Sequence, residues 1–117
     1  MKRGTLLRER ELLCARAELA DRPLERLRGL LGRDGLSAQQ ALWIAPCNAV
    51  HTIGMRMPID VVFLSRNGTV LSVHDTVRPN RFRLHWRAAA VVELRAGLAS
   101  GLGLQPGQQL RFEREHG

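Results

Sequence analysis

Four side chains with reactive or metal-ligating chemistry fall in one stretch, residues 46–60, PCNAVHTIGMRMPID: Cys47, His51, Met55 and Asp60. A thiolate, an imidazole and a thioether together suit a soft metal such as Cu(I), which would use Cys47, His51 and Met55. The spacing matches no standard zinc pattern. Cys47 activated by His51 and oriented by Asp60 would have the composition of a cysteine-histidine-acid triad. A plainer reading gives each residue a structural task. His51 caps a turn, Met55 and Met57 fill irregular core space, Cys47 is a buried thiol, and Asp60 bonds backbone N–H groups or pairs with Arg56. Pro46, Pro58 and Gly54 and the β-branched Thr52 and Ile53 argue against a helix here. Whether the four side chains meet therefore depends on how an extended loop folds back.

A second stretch, VRPNRFRLHWR at 77–87, concentrates Arg78, Arg81, Arg83 and Arg87 with Phe82, His85 and Trp86, and no acid occurs between Asp75 and Glu93. Arginines interleaved with aromatics suit phosphate contact with base stacking, or equally an acidic protein partner or a headgroup surface. The structural reading is a long connection whose Phe82 and Trp86 tuck onto the domain while the arginines face water. The net charge of +7 decides little between these, because 17 of the 18 basic residues are arginine and most are scattered along the chain. Such a bias also follows from a GC-rich coding sequence.

The elements that must position these residues read as mostly β. ELLCARAEL, 11–19, places Leu13, Ala15, Ala17 and Leu19 on one parity and suits a half-buried strand. DRPLERLRGLLG, 21–32, predicts a helix with Asp21 as N-cap, Pro23 in the first turn and Gly32 as its stop. Its apolar face would be Leu24, Leu27, Leu30 and Leu31. Further strands are expected at 41–45, at IDVVFLS, at VLSVHDTV, at 88–94 and at 109–113. Asn67-Gly68 between two β-rich runs predicts a hairpin with a type I′ turn. A short helical turn and a Pro-Gly turn precede the last strand. About six strands and one good helix, with strand runs apolar on both faces, predict an α+β, mostly β domain. Its antiparallel sheet would curl or close like a barrel, with one short helix packed on it. At 117 residues this is one domain, 1–117, with a core at about 11–113 and short flexible ends.

Taken together, ADRPLERLRGLLGR, HTIGMRMPIDVVFL with its Asn-Gly hairpin, and ELRAG followed by GLGLQPGQ resemble the bacterial and archaeal family called domain of unknown function 192. The resemblance covers roughly 11–113. It implies a compact, mostly β, barrel-like domain with a small helix. It implies no activity, and so carries no catalytic residues across. The glycines of RAGLASGLG lack the order of a phosphate-binding loop, and no cofactor is expected. The longest apolar runs are far below the ~20 residues that span a bilayer, and the two cysteines are too few for a disulfide framework. The expected protein is a cytoplasmic binding or accessory module rather than an enzyme. Its pocket for a small ligand or protein partner would lie around Cys47, His51, Met55 and Asp60, bordered by the 77–87 loop. The alternatives are a thiol- or metal-dependent enzyme in that pocket, and a polyanion surface formed by Arg78, Arg81, Arg83, Trp86 and Arg87.

Overall fold

The computed structural model describes residues 1–116. Among these residues nine strands form, in chain order β1 Lys2–Arg8, β2 Glu11–Ala20, β3 Gln40–Ile44, β4 Ala49–His51, β5 Ile59–Leu64, β6 Val70–Val77, β7 Phe82–Leu84, β8 Ala90–Arg95 and β9 Leu110–Arg114. Two helices interrupt them, α1 Pro23–Arg28 and α2 Leu98–Gly101. Seven strands make one sheet in the order β6-β5-β8-β3-β2-β1-β9, while β4 and β7 pair as a separate ribbon. All neighbours in the large sheet are antiparallel except β2 and β3, which run parallel. Parallel strands cannot be joined by a tight hairpin, so residues 21–39, with α1 among them, form the crossover.

The sheet curls until its two edges meet at one end. Thr69, just before β6, bridges Gln109, just before β9, and the Leu110 N–H donates to the Gly68 carbonyl at 2.9 Å. A Cβ at Gly68 would come 2.2 Å from the Leu110 oxygen, and its φ is +87°. Only glycine fits this seam. The Asn67-Gly68 hairpin forms as predicted, with one difference in its turn. Positive φ falls on Gly68 and not on Asn67, and the Gly68 N–H closes onto the Ser65 carbonyl at 3.0 Å. This is a turn followed by a left-handed glycine, not the type I′ pair.

The central strands are covered on both faces, which explains their unbroken apolar runs. One face packs Leu6, Leu13, Val62, Val92, Leu94 and Leu110 within the curl, with Ala99 of α2 against them. The other packs Leu42, Ile44, Val61, Phe63 and Val91 under Leu30, Val50 and Met55. Alternation along β8 sends Val92 and Leu94 into the first cluster and Val91 and Glu93 toward the second.

Three expectations are corrected. The N-terminal residues are not a loose end: β1 lies inside the sheet between β2 and β9. In β2, Cys14 is buried next to Leu13 while Ala15 is exposed. The register shifts opposite Gly4 and Leu6 break the strict parity read from the sequence. The predicted helix is shorter than its pattern, spanning 23–28 with Arg22, not Asp21, at the N-cap. The chain leaves it at Gly29, where φ is +51°. Leu30 therefore enters the core, while Leu24 and Leu27 stand 79% and 70% exposed. Leu27→Ala is accordingly expected to change stability by no more than about 0.5 kcal/mol. A loss of about 2 kcal/mol or more in chemical denaturation would show that Leu27 is buried after all.

Candidate functional site

The stretch 46–60 runs from the end of β3 through β4 into β5. The Ala45–Pro46 peptide bond is cis, and the Cys47 N–H donates to the Ala89 carbonyl at 3.0 Å. Thr52 anchors the end of β4. Its N–H donates to the Arg81 carbonyl at 2.8 Å, its hydroxyl donates to the Arg78 carbonyl at 2.7 Å, and the Arg81 N–H donates to that hydroxyl at 2.8 Å. Buried Thr52 thus ties the first stretch singled out by chemistry to the arginine-rich second one.

Cys47, His51 and Met55 border one pocket of about 360 Å³ between the α1–Leu31 segment and β4. Asp60 does not join them. On β5 it pairs in register with Leu94, while the adjacent Val61 pairs with Glu93. Asp60 therefore faces the α2 side of the sheet, and Glu93 faces the pocket side. The Asp60 carboxylate accepts three backbone bonds, from Thr76 at 2.8 Å, Gly97 at 3.0 Å and Ala99 at 2.8 Å. Burial pushes its pKa up, those N–H groups pull it down, and Asp75 adds a smaller upward push. The structural reading of Asp60 is the one realised, and through backbone N–H groups. Arg56 pairs with Asp34 instead, at 2.6 Å.

The acid at the pocket is Glu93, which the sequence reading passed over. It is only 5% exposed and lines the pocket with Arg26, Leu27, Leu30, Ile44 and Val50. A Cβ placed on Gly29 would lie 3.8 Å from its carboxylate oxygen, which sets the acid directly beneath the end of α1. Burial pushes its pKa up to about 7, and only the field of Arg33 opposes this. Arg33 itself bonds Glu18 at 2.9 Å. Among the described residues no side chain or backbone N–H donates to the Glu93 carboxyl, and its oxygens are not sealed in the core but open onto the pocket. The signal in the sequence was one acid inside an otherwise apolar strand, AAAVVEL.

Arg26 is the companion. Its Nη1 donates to the Pro46 carbonyl at 3.0 Å. Its Nε is the one buried side-chain polar atom without a hydrogen-bond partner among the described residues. Cys47 lies in reach of both charges. Burial raises its thiol pKa from 9.0, and Glu93 adds to this. The thiol's bond to the Ala49 carbonyl and the Arg26 charge work the other way without reversing it. A thiol held in this state is a weak nucleophile at neutral pH. Cys47 is expected to react with iodoacetamide at pH 7 no faster than an ordinary free cysteine; alkylation many times faster would mark it as activated. Cys14 is buried in the core with its pKa raised to about 11. Among the described residues, no three His, Cys, Asp or Glu side chains are grouped to hold a metal ion.

The 77–87 stretch carries β7, which pairs with β4 so that Ala49 faces Leu84 and His51 faces Phe82. Arg78, Arg81 and Arg87 are exposed and Arg83 is half-buried. Phe82 and Trp86 do not tuck onto the sheet; they are 62% and 74% exposed. The Arg87 guanidinium sits 4.8 Å over the Trp86 ring, in cation–π geometry. A larger groove of about 760 Å³ runs over β1, β2 and the end of β9. The acids and bases around it are exposed or half-buried, so nothing there matches the buried carboxyl at the smaller pocket.

The fold and the pocket define a small, mostly β domain with a curled mixed sheet and a concave site that a buried acid lines. The sequence profile of domain of unknown function 192, described as an uncharacterized ACR, matches residues 5–112, and the chain belongs to that family. Two solved structures share the fold. A protein of unknown function from Novosphingobium aromaticivorans DSM 12444 is 22% identical with a TM-score of 0.80, over 93% of this chain and 83% of that one. A candidate transcription regulator from Sinorhizobium meliloti 1021 is 24% identical with a TM-score of 0.80, over 95% and 92%. No curated protein matches the chain. Among the described residues, no helix is long and apolar enough to cross a membrane.

Proposed function

We propose that this domain is a binding module that holds a small ligand in the pocket bordered by Cys47, His51 and Met55, with Glu93 in the place first expected for Asp60. One observation carries the reading. A buried carboxyl without a protein donor is costly, and here it opens onto a pocket instead of onto packed core. The pocket volume falls at the small end of the range typical of ligand sites, and its lining is apolar with few polar groups. The raised pKa of Cys47 and the distance of Asp60 from the pocket favour binding over thiol chemistry. The unpaired thiols Cys14 and Cys47 fit a reducing cytoplasm, where we place the protein.

A fragment screen by amide NMR tests this. Binding fragments are expected to shift the amides of Val50, Met55 and Glu93 as one group. Fragments that bind only at other surfaces, or none that bind at all, would contradict the reading.

A further inference from the structure

The pocket presents an arginine and a carboxyl that do not pair with each other. Arg26 and Glu93 both line it, yet the hydrogen bond made by Arg26 goes to the Pro46 carbonyl. The field that opposes the upward shift of Glu93 comes from Arg33, whose guanidinium is already paired with Glu18. A lone anion would pair with Arg26 or Arg28, which also lines the site, but leave Glu93 without a donor; a lone cation would pair with Glu93 but leave the buried Arg26 Nε without an acceptor. A molecule carrying both functions meets neither penalty: its donor faces the carboxyl and its acceptor faces the guanidinium. The remaining walls, Leu27, Leu30, Ile44, Val50 and Met55, are apolar and suit a short aliphatic body.

Resting on the pocket reading above, we infer that the ligand is a small aliphatic molecule with a hydrogen-bond donor and an acceptor on neighbouring atoms, as in an α-amino acid or a primary carboxamide. The arginine supplies donors for the acceptor, and the glutamate accepts from the ammonium or amide N–H. Neither group needs a new secondary structure to do so, because β8 holds the glutamate and α1 the arginine at the same pocket.

Four probes with one branched aliphatic body separate the possibilities: leucine, 4-methylpentanamide, 4-methylpentanoate and 3-methylbutylamine. Each is titrated into the full-length labelled chain at pH 7.5 and followed at the Val50, Met55 and Glu93 amides. Leucine or the amide, whichever of the two classes is the natural one, should saturate these shifts. The single-function acid and amine should bind at least about tenfold more weakly, the loss of one charge-assisted hydrogen bond. Glu93→Gln and Arg26→Gln should each weaken leucine by about tenfold, while Arg111→Gln on the far strand β9 should leave it unchanged. If the acid or amine alone binds as tightly as leucine, the ligand class is wrong and the pocket reading stands. If no probe moves the pocket amides, the class is overturned; the pocket reading falls with it only when the fragment screen is also blank there.

Discussion

Asp60→Ala is expected to destabilise the domain by about 3–5 kcal/mol, because it strands three backbone donors at once. Two of them, the N–H groups of Gly97 and Ala99, begin α2, a helix with no side-chain cap of its own. The third belongs to Thr76, whose φ of +50° is an uncommon conformation for a β-branched residue. The register explains why: Ile59 pairs with Val77 and Val61 with His74, so Asp75 and Thr76 together oppose Asp60 in a β-bulge. The carboxylate therefore holds a strained bulge and a helix start together from inside the fold. A loss of this size is a large part of the ~5–15 kcal/mol that holds a typical domain. Asp60→Asn should lose less, since its carbonyl oxygen keeps two donors while its NH₂ opposes the third. Urea denaturation at neutral pH reads the difference, and an Asp60→Ala midpoint equal to the parent's would show the carboxylate to be dispensable.

Glu93→Gln is expected to do the opposite, and only above mildly acidic pH. The carboxyl's pKa rises from 4.5 to about 7 on folding, so the folded state holds this proton more tightly than the unfolded state does. The associated stability is fully present below about 4.5, falls as pH rises and is lost above about 7. That loss is about 3 kcal/mol. Gln does not titrate. The variant should match the parent near pH 4.5 and exceed it by about 3 kcal/mol at pH 8. Denaturation curves for the pair across this range decide the matter; a constant gap between them would mean the burial of Glu93 has no energetic consequence. A residue that weakens its own fold at working pH is the kind a binding site retains.

Much of the architecture was legible because strand patterning is local. β3, β5, β8 and β9 fall within a residue or two of their apolar runs, and the Asn67-Gly68 hairpin lies where its glycine required. What escaped notice depended on partners distant in sequence. MKRGTLLRER reads as a short flexible end until β2 and β9 pair on either side of it. Leu24 and Leu27 read as a buried helix face only if the helix continues, and Gly29 ends it after six residues. The site was half legible for the same reason. Cys47, His51 and Met55 are neighbours in the chain, and a loop of this length could bring them together. Asp60 and Glu93 were decided by sheet register, in which one residue's difference sends a side chain through to the other face.

Glu93, whose carboxyl receives no protein donor and opens onto the pocket, is the acid of the binding site. Carbon-detected NMR titration of the Glu93 carboxyl in the parent protein tests this directly. The expected midpoint lies near 7 and is displaced when a donor–acceptor ligand such as leucine occupies the site. A midpoint at or below the ordinary 4.5, unmoved by any ligand, would mean that Glu93 is solvated or ion-paired within the protein, and would contradict the account.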